Sequence, residues 1–543
     1  MADKEQQENH PPSPAARYSE NLRAIFAAFS HHGKPLRGLM STSKSPQFQG
    51  RFGRMFRSLR AATYGKTDAD SRAALMLLGE KMTAPFDPPK DGFDAEESGI
   101  PALYTYFGQF VDHDITFDPM TTLIKHSDPD ALTDFRTPTL DLDNLYGRGP
   151  GDQPYMYDNG GPKFLLGDKL DNGASDLPRN NAKPRRALIG DPRNDENSIV
   201  SQFQSLMLQF HNRVVDENQD LGLDELQRIV RWHYQWVVIY DFLEKIVSKQ
   251  VLDDLKTDGK YDKAKLRFFH WKNEPFMPVE FSVAAYRLGH SMIRPGYRLN
   301  GDDGTLLPIF PVPSQGLRDG LTGFTEMAKN RGIDWGRFID LDVRPYGDDP
   351  DKVKPANAAM KSRLQFAYRI DTSVVMPLSE LPPSVVPISD PPPSLAQRNL
   401  LRSFELGLPT GQSVAKFMGV PPVEDKEILI GKAVDDPEKG DVVGKLSDPQ
   451  FSAFHGKCPL WTYVLAEAAR TQTTITIPVK EGKKIKTPQL GPVGGRIVAE
   501  VFVGMLFGDN DSFLSAHPSW IPTIGKKGEK FALRDIVAYA LGK

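Results

Sequence analysis

Residues 223–247 of this 543-residue chain, LDELQRIVRWHYQWVVIYDFLEKIV, constrain the fold more than any other stretch. Their apolar side chains fall on nearly every face of a helix, whereas a surface helix carries them on one stripe. A helix that is apolar all round must be covered by neighbouring elements on every side. We therefore predict a helical protein with this helix at its centre.

Further stretches repeat apolar residues at helical spacing and predict more helices around this one. They are NSIVSQFQSLMLQFHNRVVDE (197–217), FSVAAYRLGHSMIRP (281–295) and VGGRIVAEVFVGMLFGD (493–509). Pro295 ends the second, because proline breaks a helix interior. Long irregular stretches separate the helices, for example 171–186, 377–394 and 481–492. Loops of this length are uncommon in a compact protein and are often functional.

Composition and charge exclude several classes of protein. The chain is 39% hydrophobic and 25% charged, as globular proteins are. Its net charge of −3 and pI near 6.4 argue against a broad nucleic-acid-binding surface. No apolar run approaches the roughly 20 residues that a membrane span requires. The one cysteine, Cys458, excludes intrachain disulfides.

The first twenty residues differ from the rest of the chain. Residues 1–20 are charged and then Pro-rich, which predicts a disordered tail. No linker follows, so we expect residues 21–543 to form one domain. The tail lacks the apolar segment of a signal peptide. With the absence of disulfides, this leaves a cytoplasmic location or export by a non-classical route.

Of the eleven histidines, His113 has the most unusual sequence context. It lies in GQFVDHDITFDP and shares one helical stripe with Tyr106, Gln109 and Asp112, which precede it by seven, four and one residues. Buried polar groups need partners. This stripe therefore predicts a polar group, from the protein or a ligand, on the other side.

His290 is the second unusual histidine. It lies in YRLGH, beside Gly289 and three residues after Arg287. A glycine inside a helix costs about 1 kcal/mol relative to alanine. Close approach of a flat ligand would explain why it is tolerated there. By contrast, His211 sits in the middle of an amphipathic helix, and we interpret it as structural.

Common catalytic and metal-binding motifs are absent. The chain has no HExxH, no CxxC, no GxSxG elbow, no P-loop and no GxGxxG after a strand. Two separate helical histidines remain, with arginines and acidic residues elsewhere. A haem site has this logic, since one histidine ligates iron and another works as acid and base on the open face.

Five motifs occur in the order seen in the animal-type haem peroxidases of the peroxidase–cyclooxygenase superfamily, which the chain resembles. They are GQFVDHDITF, GDPRNDEN, LQFHNRVV, AAYRLGHSMIRP and RNLLRSFELGLP. The resemblance runs from about Tyr104 to Phe507, and the family has bacterial members. It implies a predominantly α fold, with one large helical haem-peroxidase domain, long irregular loops, little β structure and a buried haem b.

The resemblance assigns the peroxide chemistry to three residues. His113 would take a proton from hydrogen peroxide and return it to the departing oxygen, with Gln109 beside it. Arg193 would stabilise the negative charge that develops as the O–O bond breaks. The alternative for Arg193 is a solvent-facing loop arginine.

Two acidic residues match positions that are esterified to haem methyl groups in mammalian members. They are Asp112 and Glu196, and their alternative role is helix capping or salt bridging. Asn197 stands where those members have the methionine of a third covalent link. A sulfonium bond is therefore not expected.

The resemblance also assigns the other face of the haem. His290 would ligate the iron, and Asn399 would accept the hydrogen bond from its second ring nitrogen. Arg287 and Arg402 match arginines near the haem propionates, where a guanidinium suits a carboxylate.

Acidic and hydroxyl residues predict a calcium site. Calcium takes six to eight oxygen ligands. The proposed ligands are Asp114, Thr137, the carbonyl of Thr139, Asp141 and Asp143. The family usually has serine in place of Asp143. The additional carboxylate therefore either strengthens calcium binding or points away from the site. An Asx-rich turn is the alternative.

The predicted function is a haem peroxidase that reduces hydrogen peroxide and oxidises a small donor, such as a halide or a phenol, through a ferryl intermediate. One alternative is a cyclooxygenase-like fatty-acid dioxygenase. There the radical tyrosine stands three residues before the ligand histidine, where this chain has Arg287. Tyr286 is one residue away, about 100° around a helix. Others are a non-catalytic calcium-binding protein and, last, metal-assisted hydrolysis by His113 and Asp114.

Overall fold

The structure is a computed structural model that describes residues 52–89, 94–116, 136–159, 161–301, 305–346, 362–388, 390–432 and 442–543. The predicted tail, residues 1–20, lies outside these ranges. Helices dominate the described chain, and the strands come only as short pairs. The predicted predominantly α fold is therefore confirmed.

Fifteen α-helices lie within the described ranges. They are α1 (Asp68–Lys81), α2 (Leu103–Ile115), α3 (Asp143–Tyr146), α4 (Ser198–Glu217), α5 (Leu223–Val237), α6 (Leu243–Ile246), α7 (Lys249–Asp253), α8 (Val279–Ser282), α9 (Gly289–Met292), α10 (Leu395–Glu405), α11 (Gly411–Phe417), α12 (Leu460–Arg470), α13 (Pro492–Gly508), α14 (Phe513–Ala516) and α15 (Leu533–Ala540). Short 3₁₀ turns connect many of them, including Pro192–Asp195 and Ala285–Leu288.

The strands form six two-stranded sheets among the described residues. Parallel pairing joins β1 (Phe52–Gly53) to β5 (Met277–Pro278). The antiparallel pairs are β2 (Glu97–Pro101) with β8 (Phe366–Tyr368), β3 (Lys256–Thr257) with β4 (Lys260–Tyr261), β6 (Gly296–Tyr297) with β7 (Leu307–Pro308), β9 (Leu429–Gly431) with β10 (Val442–Lys445), and β11 (Gln472–Thr476) with β12 (Lys484–Pro488).

The predicted central helix is buried, but it changes geometry along its length. It runs as α5, a π-helical turn at Val238–Phe242, and α6. Every residue of 233–239 is buried, whereas the first turns of α5 are half-exposed. The late helix α13 matches the predicted 493–509 and is buried over most of its length. These helices form the core of the protein.

The continuous helix predicted over 281–295 is wrong. The chain there forms α8, then the 3₁₀ turn Ala285–Leu288, then α9. Ala284 leaves the helical region, and the guanidinium of Arg287 donates to the carbonyl of Ser282 at 2.8 Å. A side chain thus satisfies a carbonyl that a continuous helix would have bonded through its backbone.

Helix α2 is held by aromatic packing against α4 and α5. Phe107 and Phe110 each meet the ring of Phe203 edge-on, with centroids 6.0 and 5.2 Å apart. The same two rings pack against Tyr234. Because α2 is anchored along this face, its opposite face has a fixed orientation. Within the described ranges, no helix has both the length and the apolarity to cross a bilayer.

Candidate active site

A cavity with about 1010 Å³ of empty space lies between α2 and the chain around α9. Both unusual histidines, His113 and His290, line it. Apolar side chains form much of the remaining wall: Phe242, Leu288, Met292, Ile293, Ile309, Phe310, Leu378, Leu381, Val385 and Leu395. Several of these come from the Pro-rich stretch 377–394, so this long loop contributes to the site.

The polar stripe of α2 faces this cavity. Tyr106, Gln109, Asp112 and His113 all line it, as their helical spacing predicts. Asp114 follows His113 directly and does not line the cavity, because one residue turns a helix by about 100°. The C-terminal end of α2 therefore contributes His113 to the cavity and points Asp114 away from it.

His113 is buried and held by one side chain. Its Nδ1 lies 2.7 Å from Oδ1 of Asn194. Burial, together with the nearby positive charge of Arg193, lowers the pKa of His113 to about 4, although Asp191 and Asp112 oppose the change. The imidazole is therefore neutral at neutral pH, as a proton acceptor must be.

Arg193 lies beside His113 but is anchored to the end of α2. Its guanidinium donates to Asp191 at 2.7 Å and to the carbonyls of His113 and Thr116 at 3.0 and 2.7 Å. It is not among the described residues that line the cavity. Arg193 is thus a half-buried residue that lies outside the cavity lining, and it fixes the backbone that carries His113.

Two carboxylates and two amides surround this part of the cavity. Gln109 donates to Glu196 and accepts from Asn197, both at 3.3 Å. Asp112 pairs with Arg287 at 3.5 Å. Burial raises the pKa of Glu196 to about 7, although the nearby Arg193 opposes the rise. Glu196, predicted from a second motif, is therefore brought together with Gln109 and Asp112.

His290 is half-buried and also lies beside an asparagine. Burial of the ring, together with the positive charge of Arg287, lowers the pKa of His290 to about 3. The atom of Asn399 that faces Nδ1, at 2.7 Å, is the amide nitrogen rather than the predicted oxygen. A 180° turn of the amide exchanges the two atoms. That turn supplies the acceptor that a metal-ligating His290 would need.

Of the two arginines predicted for the propionates, one lines the cavity. Arg287 lies there between Ser282 and Asp112. Arg402 is half-buried on α10, three residues after Asn399, and lies outside the cavity lining. The wall beside His290 is also open at Gly289, because an added Cβ would meet no atom within 4 Å.

These residues fit a haem. Each histidine has Nδ1 engaged, which leaves Nε2 as the nitrogen available to the cavity. The wall is largely apolar, as a porphyrin requires, and Arg287 offers a cation to a carboxylate. The open space at Gly289 lets a flat group approach the wall that carries His290.

The predicted calcium ligands form a second polar cluster beyond α2. One carboxylate oxygen from each of Asp114, Asp141 and Asp143 lies within 4.8 Å of the others. Asp141 accepts hydrogen bonds from the hydroxyls of Thr137 and Thr139 at 2.6 and 2.8 Å. All five predicted residues are therefore brought to one place.

Asp114 is the deepest of the three carboxylates. It is fully buried, its Oδ2 accepts from Tyr234 at 3.0 Å, and its Oδ1 has no hydrogen bond among the described residues. Burial and the charges of Asp141 and Asp143 raise its pKa. A cation would satisfy the unpaired oxygen and balance the carboxylates.

Arg136 joins this cluster to the cavity side. It pairs with Asp143 at 2.9 Å and with Asp191 at 2.7 Å, and Asp191 holds Arg193. Asp143 therefore faces both the cluster and Arg136. The sequence interpretation missed Arg136, Asp191 and Asn194. The Asp-Pro pair at the start of the 3₁₀ turn indicates that Asp191 caps this turn. Each of the three residues also has a partner far away in the sequence, and no local pattern indicates such a contact.

His211 and Tyr286 each have hydrogen-bond partners that bear on their roles. His211 bonds Tyr146 at 3.1 Å and the carbonyl of Pro162 at 2.8 Å, so its structural role is confirmed. Tyr286 lines the cavity, stacks on Phe281 and donates to the carbonyl of Gly108 at 3.1 Å. Its hydroxyl is thus engaged by the backbone of α2.

Known proteins resemble the chain at the levels of sequence and fold. Residues 125–308 match the family model described as animal haem peroxidase. Peroxidase A from Dictyostelium discoideum has a similar structure, with a TM-score of 0.56 and 16% identity, covering 88% of this chain and 91% of that one. No curated protein matches the sequence.

Two plant enzymes also appear among the similar structures. Fatty acid alpha-dioxygenase from Arabidopsis thaliana has a TM-score of 0.49 and 14% identity, covering 90% of this chain and 77% of that one. The Oryza sativa enzyme of the same name has a TM-score of 0.49 and 14% identity, covering 86% and 76%. Residues 125–308 are therefore similar to the animal haem peroxidase family, and the fold of the chain is similar to that of a known peroxidase.

Proposed function

We propose that the protein is a haem-dependent peroxidase that reduces hydrogen peroxide and oxidises a small electron donor. The observation that carries the proposal is one cavity with two neutral imidazoles, one buried and one half-buried, each with Nδ1 on an asparagine. A histidine with a purely structural role would not need a second such histidine in the same cavity. The pair matches the division of labour in a haem site, where one imidazole holds the metal and the other moves protons.

On the proximal side, His290 would hold the haem through Nε2. Asn399 would accept from Nδ1–H and so fix the ring orientation. Arg287 and Arg402 would pair with the two propionates, which keeps the carboxylates from lying unpaired in the protein. When bound, haem supplies an iron centre that accepts oxidising equivalents from peroxide and passes them to a donor.

On the distal side, the protein's own groups would handle the proton. His113 is neutral and its Nε2 is available to take a proton from peroxide and return it to the leaving oxygen. Gln109 beside it can donate a hydrogen bond to the bound substrate. Arg193 contributes its positive charge and holds the carbonyl of His113, so the base keeps its position.

Two further features belong to this proposal. The carboxylates of Asp112 and Glu196 line the cavity and are available for ester links to the haem. Calcium would bind Asp114, Thr137, Thr139, Asp141 and Asp143. The unpaired Oδ1 of Asp114 supports the calcium site, because a buried carboxylate oxygen without a partner is costly.

Oxygenation of a fatty acid is the second candidate, and Tyr286 is the observation that favours it. Its ring lies in the same cavity as His290, among apolar side chains that would accept an acyl chain. The engagement of its hydroxyl by Gly108 weighs against a free radical-carrying tyrosine. The peroxidase therefore stands first.

The test is an absorption spectrum of the purified protein before and after hydrogen peroxide, followed by a panel of halide, thiocyanate and phenolic donors. We expect a haem band, a rapid change with peroxide, and its reversal by at least one donor. Oxygen consumption with a polyunsaturated fatty acid, without a reaction with peroxide, would favour the oxygenase. A colourless protein would favour a non-catalytic calcium-binding protein.

A further inference from the structure

Asn194 is the side chain that touches the imidazole of His113. Its Oδ1 lies 2.7 Å from Nδ1 of the ring, and both residues are buried. A separation this short is a hydrogen bond of good geometry. Because Oδ1 can only accept, the proton must sit on Nδ1. The neutral ring then has its lone pair on Nε2, the nitrogen left to the cavity.

The other end of the same amide is held as well. Nδ2 of Asn194 donates to Oε1 of Gln204, on α4, at 2.8 Å. If the Asn194 amide alone turned by 180°, its oxygen would face Oε1 of Gln204, which is also an acceptor, and its nitrogen would face the N–H at Nδ1 of His113. The buried pair would then lose a hydrogen bond, which costs about 1–3 kcal/mol. Reversal of Asn194 therefore requires Gln204, whose Nε2 has no hydrogen-bond partner among the described residues, to turn with it.

The backbone around Asn194 is equally constrained. It stands in the 3₁₀ turn Pro192–Asp195, which Asp191 caps by accepting from the amide of Arg193 at 2.8 Å. On the other side of the contact, Arg193 holds the carbonyl of His113. Both partners of the hydrogen bond are thus positioned by the same short turn.

We infer that Asn194 is a positioning residue that keeps the His113 proton on Nδ1 and so presents an unprotonated Nε2 to an incoming hydroperoxide. The inference rests on the proposed function, because it assigns the reacting nitrogen of that function's base. Asn194 touches neither substrate nor cofactor in this role. It acts through the ring, by excluding the tautomer that could not accept the proton.

The experiment compares Asn194→Leu, which removes both hydrogen bonds, with Asn194→Asp, whose carboxylate still accepts from Nδ1–H. The free Nε2 of Gln204, which lacks a described partner, can turn to donate to that carboxylate. One readout is the rate constant of the reaction with peroxide. The second is the association rate of cyanide with the ferric haem, since HCN must also give up its proton to bind.

We expect Asn194→Leu to slow both rate constants about 10–100-fold, the usual loss when such a supporting partner is removed. Asn194→Asp should stay within about tenfold of wild type. Asn300→Leu is the matched control, because it removes a buried amide outside the cavity that donates to two backbone carbonyls at 2.7 and 2.8 Å. It should lower stability and leave both rate constants unchanged.

Two outcomes would overturn the inference. One is an Asn194→Leu protein with wild-type rate constants and only a lower melting temperature. The other is an Asn194→Asp protein as slow as Asn194→Leu, which would mean that Asn194 donates to Nδ1. If Asn194→Leu fails to hold haem, Gln204→Leu replaces it, with an expected loss of about threefold, the equivalent of one weak hydrogen bond, and no loss would overturn the inference.

The two readouts separate this inference from the proposed function. Wild-type protein that binds cyanide rapidly but ignores peroxide would contradict the peroxidase. The cyanide series of the Asn194 variants would still decide whether Asn194 sets the tautomer. Equal cyanide rates in all variants, with a normal peroxide reaction in wild type, would leave the peroxidase standing and remove the role of Asn194.

Discussion

The cavity contains two histidines in outwardly similar settings that are built very differently. His113 and His290 are each 2.7 Å from an asparagine through Nδ1, and burial lowers the pKa of both. Around His113, however, charged and amide groups interlock, whereas His290 stands among apolar side chains with Arg287 as its charged neighbour.

The two asparagines make the contrast sharper. Asn194 has a hydrogen-bond partner at each end of its amide, with its oxygen toward His113, so it can reverse only if Gln204 turns as well. The amide of Asn399 makes its hydrogen bond to His290 without a second side-chain partner among the described residues, so it can turn alone. A base that moves protons needs a fixed tautomer before the substrate arrives. A metal ligand can have its tautomer chosen by the metal, because ligation itself places the proton on Nδ1.

Replacing His290 tests the metal-binding half and has the largest expected effect. We expect His290→Ala to lose stable haem binding or to show a grossly altered absorption spectrum. Among the described residues that line the cavity, His113 is the one histidine left after this substitution. His211→Gln is the control, since His211 is buried but structural. A wild-type spectrum in His290→Ala would place the axial ligand elsewhere.

Replacing His113 tests the proton-transfer half. His113→Ala should bind haem but react with peroxide about 10²–10⁴-fold more slowly, the usual contribution of a general acid–base group. The measurement is the stopped-flow rate of the peroxide-induced change in absorbance. His233→Gln, which changes a buried histidine outside the cavity, should keep the wild-type rate. A fast His113→Ala protein would mean that another group moves the proton.

Replacing Arg193 also tests the proton-transfer half, because its guanidinium bonds the carbonyl of His113. Arg193→Ala should slow the same reaction about 10²–10³-fold, as loss of one preorganised charge does. The double variant with His113→Ala should lose less than the product of the single losses, because both act on one bond-breaking event. Fully multiplicative losses would show that the two residues act independently.

The acidic cluster also belongs to the His113 side, through Asp114 and Arg136. We expect exhaustive chelation, or Asp114→Ala, to lower the melting temperature by several degrees and to weaken haem retention, since a cation bound only to the folded state stabilises it. Asp168→Ala, at an exposed acid, is the control. An unchanged melting curve after chelation would contradict the calcium site.

The smallest expected effect is a pH dependence at Glu196, the carboxyl group beside Gln109. The folded-state pKa is about 7 against an ordinary 4.5, so between these values the folded protein keeps a proton that the unfolded chain has lost. Stability due to this group therefore falls as pH rises through that window. Glu196→Gln should gain melting temperature over wild type from pH 4.5 to 7. A pH-independent difference would indicate an ester link instead.

The sequence by itself determined the helical class and much of the site. The stripe of α2 was predictable because helical periodicity is a local property, so Gln109, Asp112 and His113 had to share a face whatever surrounds them. The motifs likewise picked out His290, Asn399 and the five residues of the acidic cluster. These residues then lie in the cavity or beside it, as the spacing and the resemblance predicted.

Tertiary structure alone decided how the polar groups pair. Asn194 meets His113 across 81 residues of sequence, and Arg136 meets Asp191 across 55. No local pattern records such contacts, because they depend on where whole helices pack. The helix at 281–295 broke for the same reason, since Arg287 there bonds Ser282 and Asp112 rather than continuing a local pattern. Periodicity thus set which residues face inward, and packing set what each of them does there.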